Sequence, residues 1–254
     1  VSERIHTRIW DEQPDPRSPF LGQSVRLCGY DYYGELLQRA GSIQVLWLLF
    51  MGEAPTPAQA ALLERLAVAL ANPGPRDPAV HAAMCGGIGG SRPAASLMAA
   101  LAVDSGEHGG AGELRRAVQA WEALGEAPDG LADCLARHAG EDGRWPGFSP
   151  LAPVSAAPVL QCLDALCAAA LAHRLHQLRA AEPALVAATG AGLSLTGVAA
   201  AACADLGLDA DRAEALFLLL RLPGALAHAL EQTGRSHKRF PFFALANDDA
   251  GASA

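Results

Sequence analysis

The stretch Gly106-Glu107-His108-Gly109-Gly110-Ala111-Gly112-Glu113, GEHGGAGE, sets one histidine among four glycines, with a glutamate on either side. Glycine lets a backbone turn at positive φ or come close to a ligand, and an imidazole on such a loop can donate a hydrogen bond to a carbonyl. Two readings follow from these residues. The loop is a glycine-rich turn, which the motif alone favours, or His108 is held out for chemistry.

Helical signals run outward from this loop in both directions. In 56–71, TPAQAALLERLAVALA, Thr56 is placed to cap, Pro57 to open the helix and Gln59 to close a capping box. Leu62, Leu63, Leu66 and Leu70 then recur on one face, and NPGP (72–75) stops the run. The same reasoning predicts helices near 35–51, 79–85, 93–103, 112–124, 156–180, 191–205 and 210–231, the last bent or broken at Pro223-Gly224. Strand signals are confined to a short stretch around 4–10. The expected fold class is all-α.

Loop-rich intervals at 72–93 and 125–155 divide the chain. They suggest a small helical subdomain at about 113–190 inserted in a larger body, all within one domain over 1–254. No internal repeat stands out, and NDDAGASA at the end reads as a frayed tail.

With 51% hydrophobic residues in 254, the chain can build a substantial core. Nineteen basic against twenty-seven acidic side chains leave a charge of −8, which argues against a nucleic-acid partner and for small molecules or proteins. Cys28, Cys85, Cys134, Cys162, Cys167 and Cys203 form no C-x-x-C pair and read as core thiols of a reducing compartment. VSERIHTRIW shows no charged-then-apolar leader, so the expected location is cytoplasmic. The apolar run 43–51 is too short to span a bilayer, and Gln161, Asp164 and Arg221 interrupt the others, so no membrane partner is expected.

CGGIGG (85–90) has neither a preceding strand nor a P-loop lysine, and reads as packing or a turn. His173 and His176 lie three apart on a predicted helix without further ligands, so no metal is expected. Arg235, His237, Lys238 and Arg239, followed by Phe240, Phe242 and Phe243, could grip a carboxylate or phosphate, or form a solvated or docking segment. Arg221 is more specific. It interrupts the apolar run LFLLLRLPGALAHAL, where an unpaired guanidinium is costly to bury, so an anion should meet it: a structural carboxylate or a bound acid.

GEHGGAGE does not stand alone. NPGPRDPAVHAAM (72–84), WPGFSP (145–150), LSLTGVAAAACADLGL (193–208) and LLRLPGALAHALEQ (219–232) occur with it in an order and spacing that resembles the citrate synthase superfamily. TRIWDEQP and CGYDYYGELL near the start look related to small citrate-synthase-like proteins, and the length is similar to that of citryl-CoA lyases.

The resemblance implies a nearly all-α homodimer with a cleft between a large and a small domain. It implies chemistry in which a carboxylate deprotonates acetyl-CoA, a histidine stabilises the enolate oxygen, a second histidine serves the ketone of oxaloacetate, and arginines hold carboxylates. Run backwards, this is citryl-CoA cleavage. His108 matches the enolate-stabilising histidine, Arg221 a carboxylate-binding arginine, and Arg239 the arginine contributed across the dimer. No bound cofactor is implied; a coenzyme A thioester is the expected substrate, with a small carboxylic acid as the second partner.

Three positions depart from the family pattern. Where the family reads NVDG this chain has Ser194-Leu195-Thr196-Gly197, so Thr196 replaces the catalytic aspartate, and a hydroxyl is no general base near neutral pH. PGFGH becomes Pro146-Gly147-Phe148-Ser149, leaving Ser149 or Pro150 at the ketone-binding histidine, and Pro78 stands for a histidine of an A-D-H context. No Lys or Arg occurs from Pro146 through Ala172, a region that ordinarily supplies charge for the phosphates. The expected function is therefore acyl-CoA carbon–carbon bond formation or citryl-CoA-type cleavage with a departed triad. Glu107, Glu113, Asp104 or His81 would have to supply the base. The alternative is a non-catalytic scaffold or small-acid-binding protein of the same fold.

Overall fold

The computed structural model describes residues 5–127, 129–235 and 237–239. Contacts group the described residues of 1–70 with 106–220, and those of 71–105 with the described part of 221–254. The interval 113–190 lies wholly within the first unit.

The first unit opens on an antiparallel sheet that sequence reading missed: β1 (Trp10–Asp15), β2 (Ser18–Leu27) and β3 (Tyr30–Asp31), in the order β1-β2-β3. Trp10 pairs with Leu27 and Glu12 with Val25, and the register shifts around Pro14. Residues 5–9, expected as strand, are not in one. The strands lie mostly exposed on both sides, so no apolar alternation marks them, and the link between β1 and β2 is set locally by Asp15 accepting from the Arg17 N–H at 2.8 Å. A π-turn at Tyr32–Leu36 leads into α1 (Leu37–Arg39), followed by α2 (Ser42–Met51) and α3 (Pro57–Leu70). The capping box before α3 forms as predicted: the Thr56 N–H donates to Gln59 at 2.8 Å and the Gln59 N–H to Thr56 at 3.2 Å.

The intervening residues of the second unit contribute α4 (Pro78–Ile88) and α5 (Pro93–Asp104). The first unit resumes with α6 (Ala111–Leu124), α7 (Leu131–Arg137), β4 (Phe148–Ser149), α8 (Ala157–Cys167), α9 (His173–Thr189), β5 (Gly192–Leu193) and α10 (Leu195–Asp205), and α11 (Ala210–Thr233) closes the order. The helix expected over 156–180 is two helices. Asp205, at the end of α10, accepts from the backbone N–H groups of Arg174 at 2.6 Å and Leu175 at 3.0 Å, a cap for α9 from 30 residues away that no local signal announces. Helix α7 arises inside an interval read as loop, anchored by buried Leu131, Cys134 and Leu135.

The core of the first unit surrounds α10, whose Val198, Ala199, Ala200, Ala201 and Ala202 are all fully buried. Small side chains let neighbours approach closely, and the approach is tightest at its start. β4 and β5 pair as Phe148↔Leu193 and Ser149↔Gly192, and the Ser194 N–H donates to the Gly147 carbonyl at 2.9 Å. The segment 145–149 is thereby laid across the N-terminus of α10.

In the second unit Asp77 caps α4, accepting from Ala79 at 3.0 Å and Val80 at 3.2 Å, with Pro78 as the first helical residue. CGGIGG is helix and helix end: a Cβ on Gly87 would collide with the Ala229 carbonyl, and one on Gly86 would stand 2.6 Å from Ser96 Oγ. Helix α11 runs through Pro223-Gly224 rather than breaking there. Proline offers no N–H, and the Gly224 N–H donates outside the helix to the Ala71 carbonyl at 2.7 Å, an approach that a side chain would block. By length and composition α11 could cross a bilayer, but Ala213, Leu216, Phe217 and Leu220 belong to the core of the first unit and Ala225 and Ala229 to that of the second.

At Gly197 a Cβ would lie 2.6 Å from the Gly147 carbonyl oxygen and 3.0 Å from its Cα. Gly197→Ala is therefore expected to cost about 1–3 kcal/mol, read as a lowered urea midpoint. An unchanged midpoint would show that the two loops can part freely.

Candidate functional site

His108 sits on the loop that leads into α6, and its side chain is 63% exposed. Gly109 beside it has φ +73°, a left-handed turn that only glycine adopts without strain. Four residues on, in the first turn of α6, Glu113 points back under the loop. Its Oε2 accepts from the Gly109 N–H at 2.6 Å, and its Oε1 accepts from the Gly147 N–H at 2.8 Å. The Thr196 hydroxyl donates to the Gly109 carbonyl at 3.4 Å. Residues 106–110, 145–149 and 194–197 thus converge, and of the positions singled out in the sequence, Glu107, His108, Ser149 and Thr196 come from these segments.

Burial pushes the Glu113 carboxyl above the usual glutamate range, opposed by the two backbone donors and by the charges of His108 and Arg144. Glu107 is held differently: its carboxylate pairs with Arg116, whose other nitrogen donates to the Glu107 carbonyl at 2.9 Å. Both glutamates flanking the histidine are therefore engaged. Ser149 Oγ accepts from the Leu151 N–H at 3.4 Å.

Two functional candidates escaped sequence reading. Asp142 brings Oδ2 to 3.9 Å from His108 Nε2, and the same oxygen pairs with Arg144 Nε at 2.8 Å. The Arg144 backbone N–H, with the nearby charges of Arg144 and His108, holds the Asp142 carboxyl below its ordinary range. Arg144 lies two residues before the cation-free interval that starts at Pro146. Nothing in EDGR distinguished these residues from a solvated loop; only folding brings them beside His108.

Arg221 and Pro78 belong to the second unit. Arg221 is 5% exposed, and the anion its burial demands is supplied twice: Nε donates to Asp104 at 2.9 Å and a terminal nitrogen donates to Asp77 at 2.6 Å. The small cavity beside them, lined by Pro73, Val80, Ala100 and Leu222, measures about 10 Å³, room for one water at most. Burial pushes the Asp104 carboxyl up, against the pull of the Arg221 charge. Asp104 is thus the arginine's partner. Arg235 pairs with Glu231 at 2.6 Å on the surface. Arg239 ends the turn His237–Arg239, but its side chain, like Phe240, Phe242 and Phe243, lies outside the described residues. Among the described residues no group of three or more His, Cys, Asp or Glu could hold a metal ion.

No family model and no curated protein sequence matches the chain. Solved structures do. Citryl-CoA lyase from Hydrogenobacter thermophilus superposes with a TM-score of 0.69 at 17% identity, covering 96% of each chain. ATP citrate lyase from Methanothrix soehngenii, in complex with citrate and coenzyme A, gives 0.72 at 18% identity over 100% of this chain and 44% of its own. A variant of ATP citrate lyase from Methanosaeta concilii, in complex with (3S)-citryl-CoA, gives 0.73 at 18% over 98% of this chain and 43% of its own. This chain therefore spans less than half the length of the ATP citrate lyases. The citrate synthase-like helical fold expected from the motifs is the fold of this chain.

Arg221→Ala leaves two buried carboxylates without their cation and is expected to destabilise by about 3–5 kcal/mol in chemical denaturation. Because the folded-state pKa of Asp104 is raised, its contribution is fully present below the ordinary aspartate pKa and is lost as pH rises through the folded value. Asp104→Asn should flatten that part of the stability–pH curve. An unchanged curve would contradict the assignment.

Proposed function

We propose that this protein acts on coenzyme A thioesters, forming or cleaving a carbon–carbon bond of the citryl-CoA type, with His108 as donor to the thioester carbonyl oxygen. The observation that carries this reading is the convergence of residues 106–110, 145–149 and 194–197 beside an exposed imidazole, on a fold shared with citryl-CoA lyase. Those are the segments that the resemblance assigns to the site.

In the cleaving direction the electron pair of the broken bond passes to the thioester oxygen, and in the forming direction the pair comes from an α C–H bond. Both create an enolate oxygen that an imidazole N–H stabilises. The proton is the harder part. Thr196 spends its hydroxyl on the Gly109 carbonyl, while Glu107 and Glu113 are tied to Arg116 and to two backbone amides. Asp142 is tied as well, to Arg144 at 2.8 Å, and a carboxyl held below its ordinary range is a weak base, but it lies 3.9 Å from His108 and is the carboxylate to which this reading gives the proton. The same reading takes a cytoplasmic homodimer with a small carboxylic acid as second substrate.

A second reading, a non-catalytic scaffold of the same fold, is favoured by Arg221, whose pairing with Asp77 and Asp104 gives it structural carboxylates in place of a bound acid. Calorimetry with acetyl-CoA and citryl-CoA separates the two. We expect His108→Ala to weaken thioester binding by roughly two- to tenfold, the worth of one hydrogen bond. Asp142→Asn should leave binding intact and lower turnover by about 10²–10⁴-fold. Absence of thioester binding by the folded wild-type protein would sink the first reading.

A further inference from the structure

Glu113 is a buried carboxylate to which the chemistry above gives no role, and its surroundings are specific. It is 8% exposed, and its two oxygens accept from amides 38 residues apart in the chain, Gly109 and Gly147. Both donors sit at left-handed turns, with φ +73° and +88°, so each loop is folded to aim its N–H inward at this one group. An ionised carboxylate meeting two donors makes charge-assisted bonds, which offset its loss of water. No other side chain type does this equally. Glutamine would turn an NH₂ toward one of the two donors, and aspartate is one methylene too short to reach both.

We propose that Glu113 is the positioning residue of His108: its carboxylate ties the amide next to the histidine to the Gly147 amide, and so fixes the loop that carries the imidazole against residues 145–149. The proposal rests on the preceding functional reading only for what the imidazole does once placed. Protonation would put an O–H opposite one of the N–H donors and release that bond. The charged groups facing Glu113 are His108 on the preceding loop and Arg144 on the turn before Gly147; Thr196, from α10, does not titrate in this range. Because the Glu113 carboxyl titrates above the ordinary glutamate range, the tie opens as pH falls through that raised value.

The test is amide exchange at Gly109 and Gly147, with NMR of the His108 ring, in wild type and Glu113→Gln. In wild type both amides should be protected, although Gly109 lies on an exposed loop. In the variant exchange should rise at both by roughly ten- to hundredfold, the loss of charged hydrogen bonds, and the His108 ring resonances should shift while those of His138 stay. Unprotected amides in wild type would overturn the proposal without any variant, which covers a variant that fails to fold. Loosening of neither loop or of one alone, or an unmoved His108 ring, would also overturn it. If these results hold while acetyl-CoA fails to bind wild type, the functional reading falls and the positioning role stands.

Discussion

A carboxylate taken out of water must be met by donors, and at Glu113 the donors come from two loops that the chain would otherwise leave independent. That requirement organises the first unit around its site. The bond to Gly109 is local, but the bond to Gly147 depends on the placement of residues 145–149, where β4 pairs with β5 and the chain lies against the start of α10. That approach in turn needs Gly197, where any side chain would meet the Gly147 backbone, and a helix of alanines behind it that demands little room. Burial of small residues, a two-residue strand pair and one buried acid are thus successive conditions for an imidazole held at the surface.

The parts of this arrangement that depend on local chemistry were legible in the sequence. Leu62, Leu63, Leu66 and Leu70 at helical spacing, the Thr56–Gln59 box and the glycines around His108 each have a short-range cause, and the structure follows them. Arg221 was legible as a demand: an arginine in an apolar run needs an anion, and Asp77 and Asp104 supply it. What stayed hidden has long-range causes. The start of α9 is set by Asp205 and α7 by burial of three residues in a polar stretch, while the hairpin of β1 and β2, though joined locally, exposes both faces and so shows no apolar alternation. Asp142 and Arg144 belong to the same class, since a loop's composition says nothing about which histidine it will meet.

The chemistry separates along the same line as the fold. Stabilising an enolate oxygen asks for one donor in a fixed place, and the backbone scaffold around His108 can supply that from glycines and a buried acid. Moving a proton asks for a group of suitable basicity, worth about 10²–10⁴ in rate, and Thr196 and Ser149 are no substitutes for a carboxylate and an imidazole. A shared fold with citryl-CoA lyase therefore carries the geometry further than it carries the reaction. On the proposed reading the proton passes instead to Asp142, a position that the motifs of the resemblance do not include.

The most direct measurement of the central claim, that His108 marks a thioester site built from three converging loops, is an amide-exchange footprint of the wild-type protein with and without acetyl-CoA. Slowed exchange in residues 106–110, 145–149 and 194–197 together is the expected result. Protection confined to other segments, or no change anywhere at saturating ligand, would contradict it.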